Sequence, residues 1–154
     1  MFKLIKRIFK NKNLSPYEVG EVTNLKKFIE EFKIDTVYDV GANSGQYALM
    51  LRKKVNFNGN IFSFEPFPKT YEELKNKAKD DSNWYTFNFA ISNSSGIKKL
   101  NVAKNDQMNS FQKASVEETD ILKHINTQHE TENVETKTLS EAITNTPQNI
   151  NSKN

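Results

Sequence analysis

The spacing of apolar residues predicts a helix at the start of the folded region. Between residues 15 and 32 apolar side chains recur every three or four positions, as on one face of a helix: Val19, Val22, Leu25, Phe28, Ile29 and Phe32. Ser15, Pro16 and Glu18 supply a helix cap, a first-turn proline and the acid of a capping box. We therefore expect a helix from Ser15 to about Phe32.

Three apolar runs that follow this helix predict strands: Thr36–Val40, Ile61–Phe64 and Trp84–Ile91. Helical spacing fills the intervals between them, over residues 46–54 and 69–78. Strands separated by helices of this length pair in parallel through right-handed crossovers. The pattern indicates an α/β fold with part of a doubly wound parallel sheet.

The pattern changes after residue 92. A strand over residues 97–102 is expected to run antiparallel as part of a β-hairpin insertion, and a helix is predicted over about 115–125. Val134–Leu139 predicts one more strand. These features divide the chain into a basic segment over 1–14, a domain over 15–143 and a disordered tail over 144–154.

Composition excludes several classes of function. The net charge of +3 over 154 residues is too small to indicate a nucleic-acid-binding protein, and the absence of cysteine excludes disulfides. No apolar run reaches the roughly 20 residues of a membrane span. Residues 1–10 interleave basic and apolar side chains, so they predict either weak contact with a membrane surface or a short docked helix. We expect a cytoplasmic protein.

The loop from Gly41 to Gly45 carries the strongest chemical signal. It joins a predicted strand to a predicted helix, where glycines let backbone approach a ligand and the helix start favours anionic groups. Asp39 lies two residues before the first glycine, and Glu65 ends the next strand. A carboxylate at that second place can accept hydrogen bonds from ribose hydroxyls.

Two ligand classes share these features. A nicotinamide-dependent oxidoreductase also has a glycine loop and a downstream acid. The loop here reads Gly-x-x-x-Gly and lacks the third glycine of the dinucleotide pattern, while Asp39 adds a carboxylate. These two differences favour another nucleoside cofactor over NAD.

The segment from Asp39 to Tyr47, the Phe64-Glu65-Pro66 triplet, and Asn88 to Ser92 followed by Gly96 resemble FkbM-type methyltransferases. The resemblance implies a Rossmann-like class I fold and methyl transfer from S-adenosylmethionine to a hydroxyl of a sugar, a glycan precursor or another small metabolite. It also implies roles for individual residues. The methionine part would contact Asp39, Gly41, Ala42, Asn43 and Gly45; the ribose would contact Glu65; and the adenine would lie by Ala90 and Ile91 at the end of the third strand.

The resemblance weakens beyond the hairpin. Such proteins continue with a strand carrying a Lys-x-Asp-x-Glu-Gly-type motif, which has no match here. We therefore expect a truncated sheet whose first strand has an open edge, self-association through that edge or its coverage by Val134–Leu139, and poor catalysis. A non-catalytic cofactor-binding remnant stays open as an alternative.

The two histidines and the first residues of the helix after the glycine loop do not identify a general base. His124 and His129 are five residues apart, which does not place them on one helical face, so we predict no metal site. Gln46 and Tyr47 suit ligand contact and helix packing equally. The sequence assigns no general base.

Overall fold

The computed structural model describes residues 16–102 and 130–144. Four α-helices, one π-helical segment and six strands make up these two stretches. In chain order they are α1 (Pro16–Glu31), β1 (Thr36–Val40), α2 (Gln46–Met50), the π-helical segment (Leu51–Val55), β2 (Asn60–Phe64), α3 (Pro68–Ala78), β3 (Trp84–Phe87), β4 (Ala90–Ile91), β5 (Gly96–Val102), β6 (Glu130–Lys137) and α4 (Leu139–Thr144).

The first sheet is parallel and has the strand order β1-β2-β3. Thr36 pairs with Asn60 in β2, and Ile61 pairs with Trp84 in β3. The predicted parallel pairing is confirmed, because β1 with β2 and β2 with β3 both run in the same direction. The carboxyl ends of β1 and β2 therefore meet at one edge, where open α/β sheets bind ligands.

The helix predicted over residues 46–54 divides into two parts. The α-helical part ends at Met50, and Leu51–Val55 continues as a π-helical segment. Asn56 then takes a left-handed conformation with φ 60°, and the amide of Phe57 donates to the Leu51 carbonyl at 3.0 Å. Hydrophobic spacing alone does not encode this wider turn.

Arg52 anchors the π-helical segment to the amino-terminal edge of the sheet. Its guanidinium pairs with Asp81 at 2.7 Å, and its side chain is 15% exposed. It also donates to three carbonyls, those of Phe57, Gly59 and Asn83. Planar guanidinium geometry suits this fork of acceptors, so the residue ties together the loops that precede β2 and β3.

Helices cover one face of the parallel sheet. The buried residues there come from α1, α2, the π-helical segment, α3, the strands and two loops: Val22, Ala42, Ala48, Leu51, Val55, Phe57, Ile61, Leu74, Ala78 and Trp84. The stripe Thr70, Leu74 and Ala78 turns one side of α3 onto the sheet. This spacing of four residues is the amphipathic pattern that predicted α3.

Aromatic rings cover the opposite face. Phe62 stacks between Tyr38 and Tyr85 with centroid distances of 5.3 and 4.9 Å, and Phe64 stacks on Phe87 at 5.2 Å. Ala142 of α4 packs against the same cluster. Alternation along each strand thus separates a helix-covered face from an aromatic one.

The second sheet has the order β4-β6-β5 and corrects two predictions. The third strand does not run to Ile91: β3 ends at Phe87, and Ala90–Ile91 forms β4, parallel to β6. The late strand spans Glu130–Lys137 and pairs antiparallel with β5, so it does not cover the edge of β1. The antiparallel direction predicted for residues 97–102 is confirmed.

The capping box of α4 explains why Leu139 begins a helix instead of ending the strand. Thr138 Oγ1 accepts from the Glu141 amide at 3.3 Å, and Glu141 Oε2 accepts from the Thr138 amide at 2.9 Å. These reciprocal bonds satisfy the first amides of the helix. The sequence Thr-x-x-Glu signals such a start, and the prediction of a strand to Leu139 did not use it.

Several predictions lie outside the described residues: the basic segment 1–14, the helix near 115–125, both histidines, and all of the predicted tail except Thr144. Thr144 itself ends α4. Among the helices of residues 16–102 and 130–144, none is long and apolar enough to cross a bilayer.

Candidate functional site

The glycine loop leaves β1 through three left-handed residues. Gly41 has φ 76°, Asn43 has φ 50° and Gly45 has φ 83°. The amides of Gly41 and Ala42 both donate to the Phe64 carbonyl at 3.0 Å, which holds the loop against the end of β2. The predicted loop is thus found where two parallel strands end.

The two glycines have different reasons for lacking a side chain. A Cβ on Gly45 would lie 2.9 Å from Leu74 Cδ1 and from two ring atoms of Trp84, so core packing requires glycine there. A Cβ on Gly41 would meet nothing within 4 Å. Gly41 therefore keeps backbone accessible on an open side of the loop, as close approach of a ligand requires.

Glu65 follows β2 and bridges two backbone segments. Its Oε2 accepts from the Asn43 amide at 2.9 Å, and its Oε1 accepts from the Phe67 amide at 3.0 Å. The residue is 7% exposed. The carboxylate therefore fastens the glycine loop to the start of α3, a structural role that the sequence did not indicate.

Asp39 is buried at the end of β1, on the helix-covered face of the sheet. Its Oδ2 accepts from Ser63 Oγ at 3.2 Å, and Ser63 Oγ accepts from Trp84 Nε1 at 2.9 Å. Burial raises the pKa of the Asp39 carboxyl, and the Ser63 hydrogen bond partly opposes that rise. A carboxylate is thus held near the loop in a poorly solvated place.

Lys77 reaches the loop from the last turn of α3. Its ammonium donates to the Ser44 carbonyl at 2.7 Å and to Ser44 Oγ at 2.8 Å. Ser44 is 8% exposed. The loop is therefore held from three sides, by β2 backbone, by Glu65 and by Lys77.

Ala90 and Ile91 are not where the sequence placed them. They belong to β4 of the second sheet, not to the end of β3. Asn88 explains the break, because its side-chain amide donates to the carbonyls of Glu65 and Pro66 at 2.9 and 3.1 Å. The chain leaves the parallel sheet at that residue, which corrects the premise of the predicted adenine contact.

Tyr47 lies in the first turn of α2 and is 44% exposed. Partial burial raises the pKa of its hydroxyl, and the negative charges of Asp39 and Glu21 raise it further. The Gln46 side chain donates to Asn43 Oδ1 at 3.2 Å. Gln46 therefore has a loop-supporting contact, while Tyr47 stands at the surface near Asp39.

A family model described as the Methyltransferase FkbM domain matches residues 39–152, well over half of the chain. The chain belongs to the FkbM methyltransferase family. The match begins at Asp39 and includes the glycine loop and Glu65. A search of curated proteins finds no match.

Membership of the FkbM methyltransferase family makes the loop and its two carboxylates the candidate site. Sequence reasoning located Asp39, Glu65 and the loop, and missed the residues that hold them: Ser63, Trp84, Lys77 and Asn88. Parallel register offered one signal, because Ser63 pairs directly with Asp39 and shares its face. Lys77 lies 33 residues from Ser44 and gave no local signal.

Proposed function

We propose that this chain binds S-adenosylmethionine at the glycine loop and transfers its methyl group to a hydroxyl of a small acceptor. The observation that carries the proposal is the pair of carboxylates flanking the loop. Asp39 is the penultimate residue of β1 and Glu65 follows β2, at the carboxyl edge of a parallel sheet. That edge is the usual ligand crevice of such sheets.

The donor set fits the chemistry of this cofactor. A buried carboxylate such as Asp39 complements the cationic sulfonium and amino groups, and loses little strength to solvent screening. Each Glu65 oxygen accepts a backbone amide, and a carboxylate at the end of the second strand is a group that can accept hydrogen bonds from ribose hydroxyls. The open side of Gly41 leaves room for a ligand to approach the backbone, although the Gly41 and Ala42 amides already donate to the Phe64 carbonyl.

The chain's own residues would bind and orient. The cofactor supplies an activated methyl group when bound, so the protein's task is to align donor and acceptor. Good alignment can account for roughly 7–11 kcal/mol of a reaction barrier. The fixed loop conformation serves this task, because Glu65 and Lys77 hold it before any ligand arrives.

The acceptor class rests on the FkbM resemblance. A sugar or glycan-precursor hydroxyl is the class we propose, and no described residue is assigned as its general base. Because acceptor and donor are separate questions, the first experiment addresses the donor alone.

Calorimetry with S-adenosylhomocysteine and with NAD tests the cofactor proposal. We expect the first to bind and NAD to bind far more weakly. Glu65→Gln should weaken S-adenosylhomocysteine binding by roughly 1–3 kcal/mol, because it removes a charged acceptor for hydroxyl groups and sets an NH2 donor against the amide of Asn43 or Phe67. NAD binding without S-adenosylhomocysteine binding would contradict the proposal.

Asp39→Asn offers a matched test within one strand region. We expect about a tenfold loss of affinity for S-adenosylmethionine, because a charge-assisted contact becomes a neutral one. The control is Asp35→Asn, which removes an exposed carboxylate before the opposite end of β1. Equal losses in both variants would show that general charge, not the site, controls binding.

A further inference from the structure

We propose that Ser63 and Trp84 are positioning residues for Asp39 and Gly45. Two hydrogen bonds in series, here called the relay, run from Trp84 in β3 through Ser63 to Asp39, which lies two residues before the glycine loop. The relay is a feature of the protein without ligand, and its relevance to cofactor binding rests on the proposed function. Neither residue touches the reacting atoms. Each acts through a residue that flanks or forms the loop.

The direction of the relay follows from donor chemistry. An indole N–H can only donate, so the 2.9 Å contact from Trp84 occupies a lone pair of Ser63 Oγ. The single hydroxyl hydrogen of Ser63 then remains to be donated to Asp39 Oδ2, 3.2 Å away. Trp84 thereby commits Ser63 to act as a donor, which favours the ionised carboxylate.

The surroundings strengthen these bonds. Ser63 is 0% exposed and Trp84 is 5% exposed, so water does not compete for either contact. Hydrogen bonds in series at low local dielectric reinforce each other. Burial of Asp39 raises the pKa of its carboxyl, and the Ser63 bond is the contact that lowers it. The relay therefore favours the charged form of a buried carboxylate at a place where a cationic ligand would need it.

The same indole supports the loop itself. Its Cζ2 and Cη2 atoms lie 2.9 Å from the position that a Cβ on Gly45 would take. The Trp84 side chain thus supports the Asp39 carboxylate through Ser63 and packs against the Gly45 backbone before α2. A change at Trp84 should affect the two together.

Other ionisable groups near Asp39 come from the surrounding elements. Tyr47 of α2 interacts with the Asp39 charge, and Glu21 of α1 acts on the same tyrosine. Lys77 of α3 binds Ser44, and Glu65 after β2 binds the Asn43 amide. Asp39→Asn shows whether Asp39 or another of these groups produces any titration that is observed.

Trp84 is the one tryptophan in the chain, which gives the relay a direct probe. The protein labelled with ¹⁵N has a single indole resonance to follow through an acid titration without ligand. We expect that resonance to move with a midpoint above the ordinary pKa of aspartate. The movement should be absent in Asp39→Asn. In Ser63→Ala its midpoint should shift to higher pH and its amplitude should fall, because the donor that favours the ionised form is gone.

Thr70→Val is the matched control. Thr70 has a buried hydroxyl for which the described part of the chain offers no hydrogen-bond partner. This variant therefore removes a buried hydroxyl from the same core without touching the relay, and it should titrate like the unmodified protein. An indole resonance that does not move with pH, or moves equally in Asp39→Asn, would overturn the relay. Failure of Ser63→Ala to fold leaves the Asp39→Asn comparison decisive.

Binding measurements then test the positioning role. Ser63→Ala and Trp84→Phe should each raise the dissociation constant of S-adenosylhomocysteine about tenfold near neutral pH. The pH below which affinity falls should also rise in both, which a purely structural defect would not produce. Unchanged affinity and pH profile in both variants would overturn the positioning role. If neither the unmodified protein nor any variant binds S-adenosylhomocysteine, the proposed function is wrong. The indole titration needs no ligand, so it still tests the relay in that case.

Discussion

The two sheets of this protein are assembled in different ways. In the parallel sheet every strand lies beside its neighbour along the chain, with one helical connection between partners. The second sheet combines β4, β5 and β6 in the spatial order β4-β6-β5, and residues 103–129 separate β5 from β6 along the chain. The candidate site belongs to the first sheet. The strands that carry the site therefore pair with their neighbours along the chain. The second sheet depends on pairing between β5 and β6, which are far apart in the sequence.

The two regions also differ in how the fold shifts the pKa of a carboxyl group. Asp39 is buried at the site, and burial raises the pKa of its carboxyl above the ordinary value of 3.8. Glu141 in α4 is exposed, and hydrogen bonds from Ser95 and Thr138 lower the pKa of its carboxyl below the ordinary 4.5. The ionised form of Asp39 is therefore disfavoured in the folded protein. The ionised form of Glu141 is favoured there.

The largest expected difference between the sheets comes from their glycines. Gly45→Ala should destabilise the protein by roughly 2–4 kcal/mol, because a left-handed alanine is strained and its methyl group would overlap Leu74 and Trp84. Gly96→Ala in β5 should cost about 1–2 kcal/mol, since only its φ of 142° is unfavourable and its surroundings are open. Denaturant unfolding of both variants measures the two costs.

Equal costs at Gly45 and Gly96 would show that backbone strain dominates and that packing against the loop is loose. A larger cost at Gly96 would reverse the comparison, and would identify the second sheet as the less tolerant region.

Asp39→Asn should increase the free energy of unfolding at neutral pH by about 1 kcal/mol, because it removes a buried charge and keeps an acceptor for Ser63. A carboxyl whose pKa is raised on folding stabilises the protein at acid pH, and that stabilisation is lost as the pH rises through its folded pKa. The gain from asparagine should therefore appear above that pKa and vanish below pH 3.8.

Thermal unfolding of Asp39→Asn beside Asp35→Asn, across a range of pH, checks this expectation. A stability gain shared by both variants would indicate relief of general charge repulsion. A loss at neutral pH in Asp39→Asn alone would mean that the ionised carboxylate stabilises the fold.

Glu141→Gln should have the smallest effect and the opposite sign. A carboxyl whose pKa is lowered on folding stabilises the protein above its ordinary pKa, and this stabilisation is lost as the pH falls through the lower, folded value. The variant should be slightly less stable at neutral pH and indistinguishable in strong acid. Glu135→Gln, an exposed β6 carboxylate paired with Lys137 at 3.2 Å, serves as the control in melting experiments.

Much of the parallel sheet could be predicted because its signals are local. The spacing of apolar residues located α1, α3 and the first two strands to within about two residues, and the glycines marked the loop. The continuation of β3 to Ile91 was wrong because the run of apolar residues does not stop at Asn88. At that residue the strand has ended, and the Asn88 side chain makes two hydrogen bonds to the carbonyls of Glu65 and Pro66, which no pattern of hydrophobicity contains.

The sequence by itself determined which residues could form the site: a carboxylate before Gly41, a glycine loop, and Glu65 after the next strand. The tertiary structure decided how they are held. Ser63 reaches Asp39, and Trp84 reaches Ser63, only because parallel register aligns three strands. Lys77 reaches Ser44 only because α3 packs back across the sheet. Side-chain hydrogen bonds of this kind depend on distances between elements, and those distances are set by packing of the core and not by any neighbouring residues in the chain.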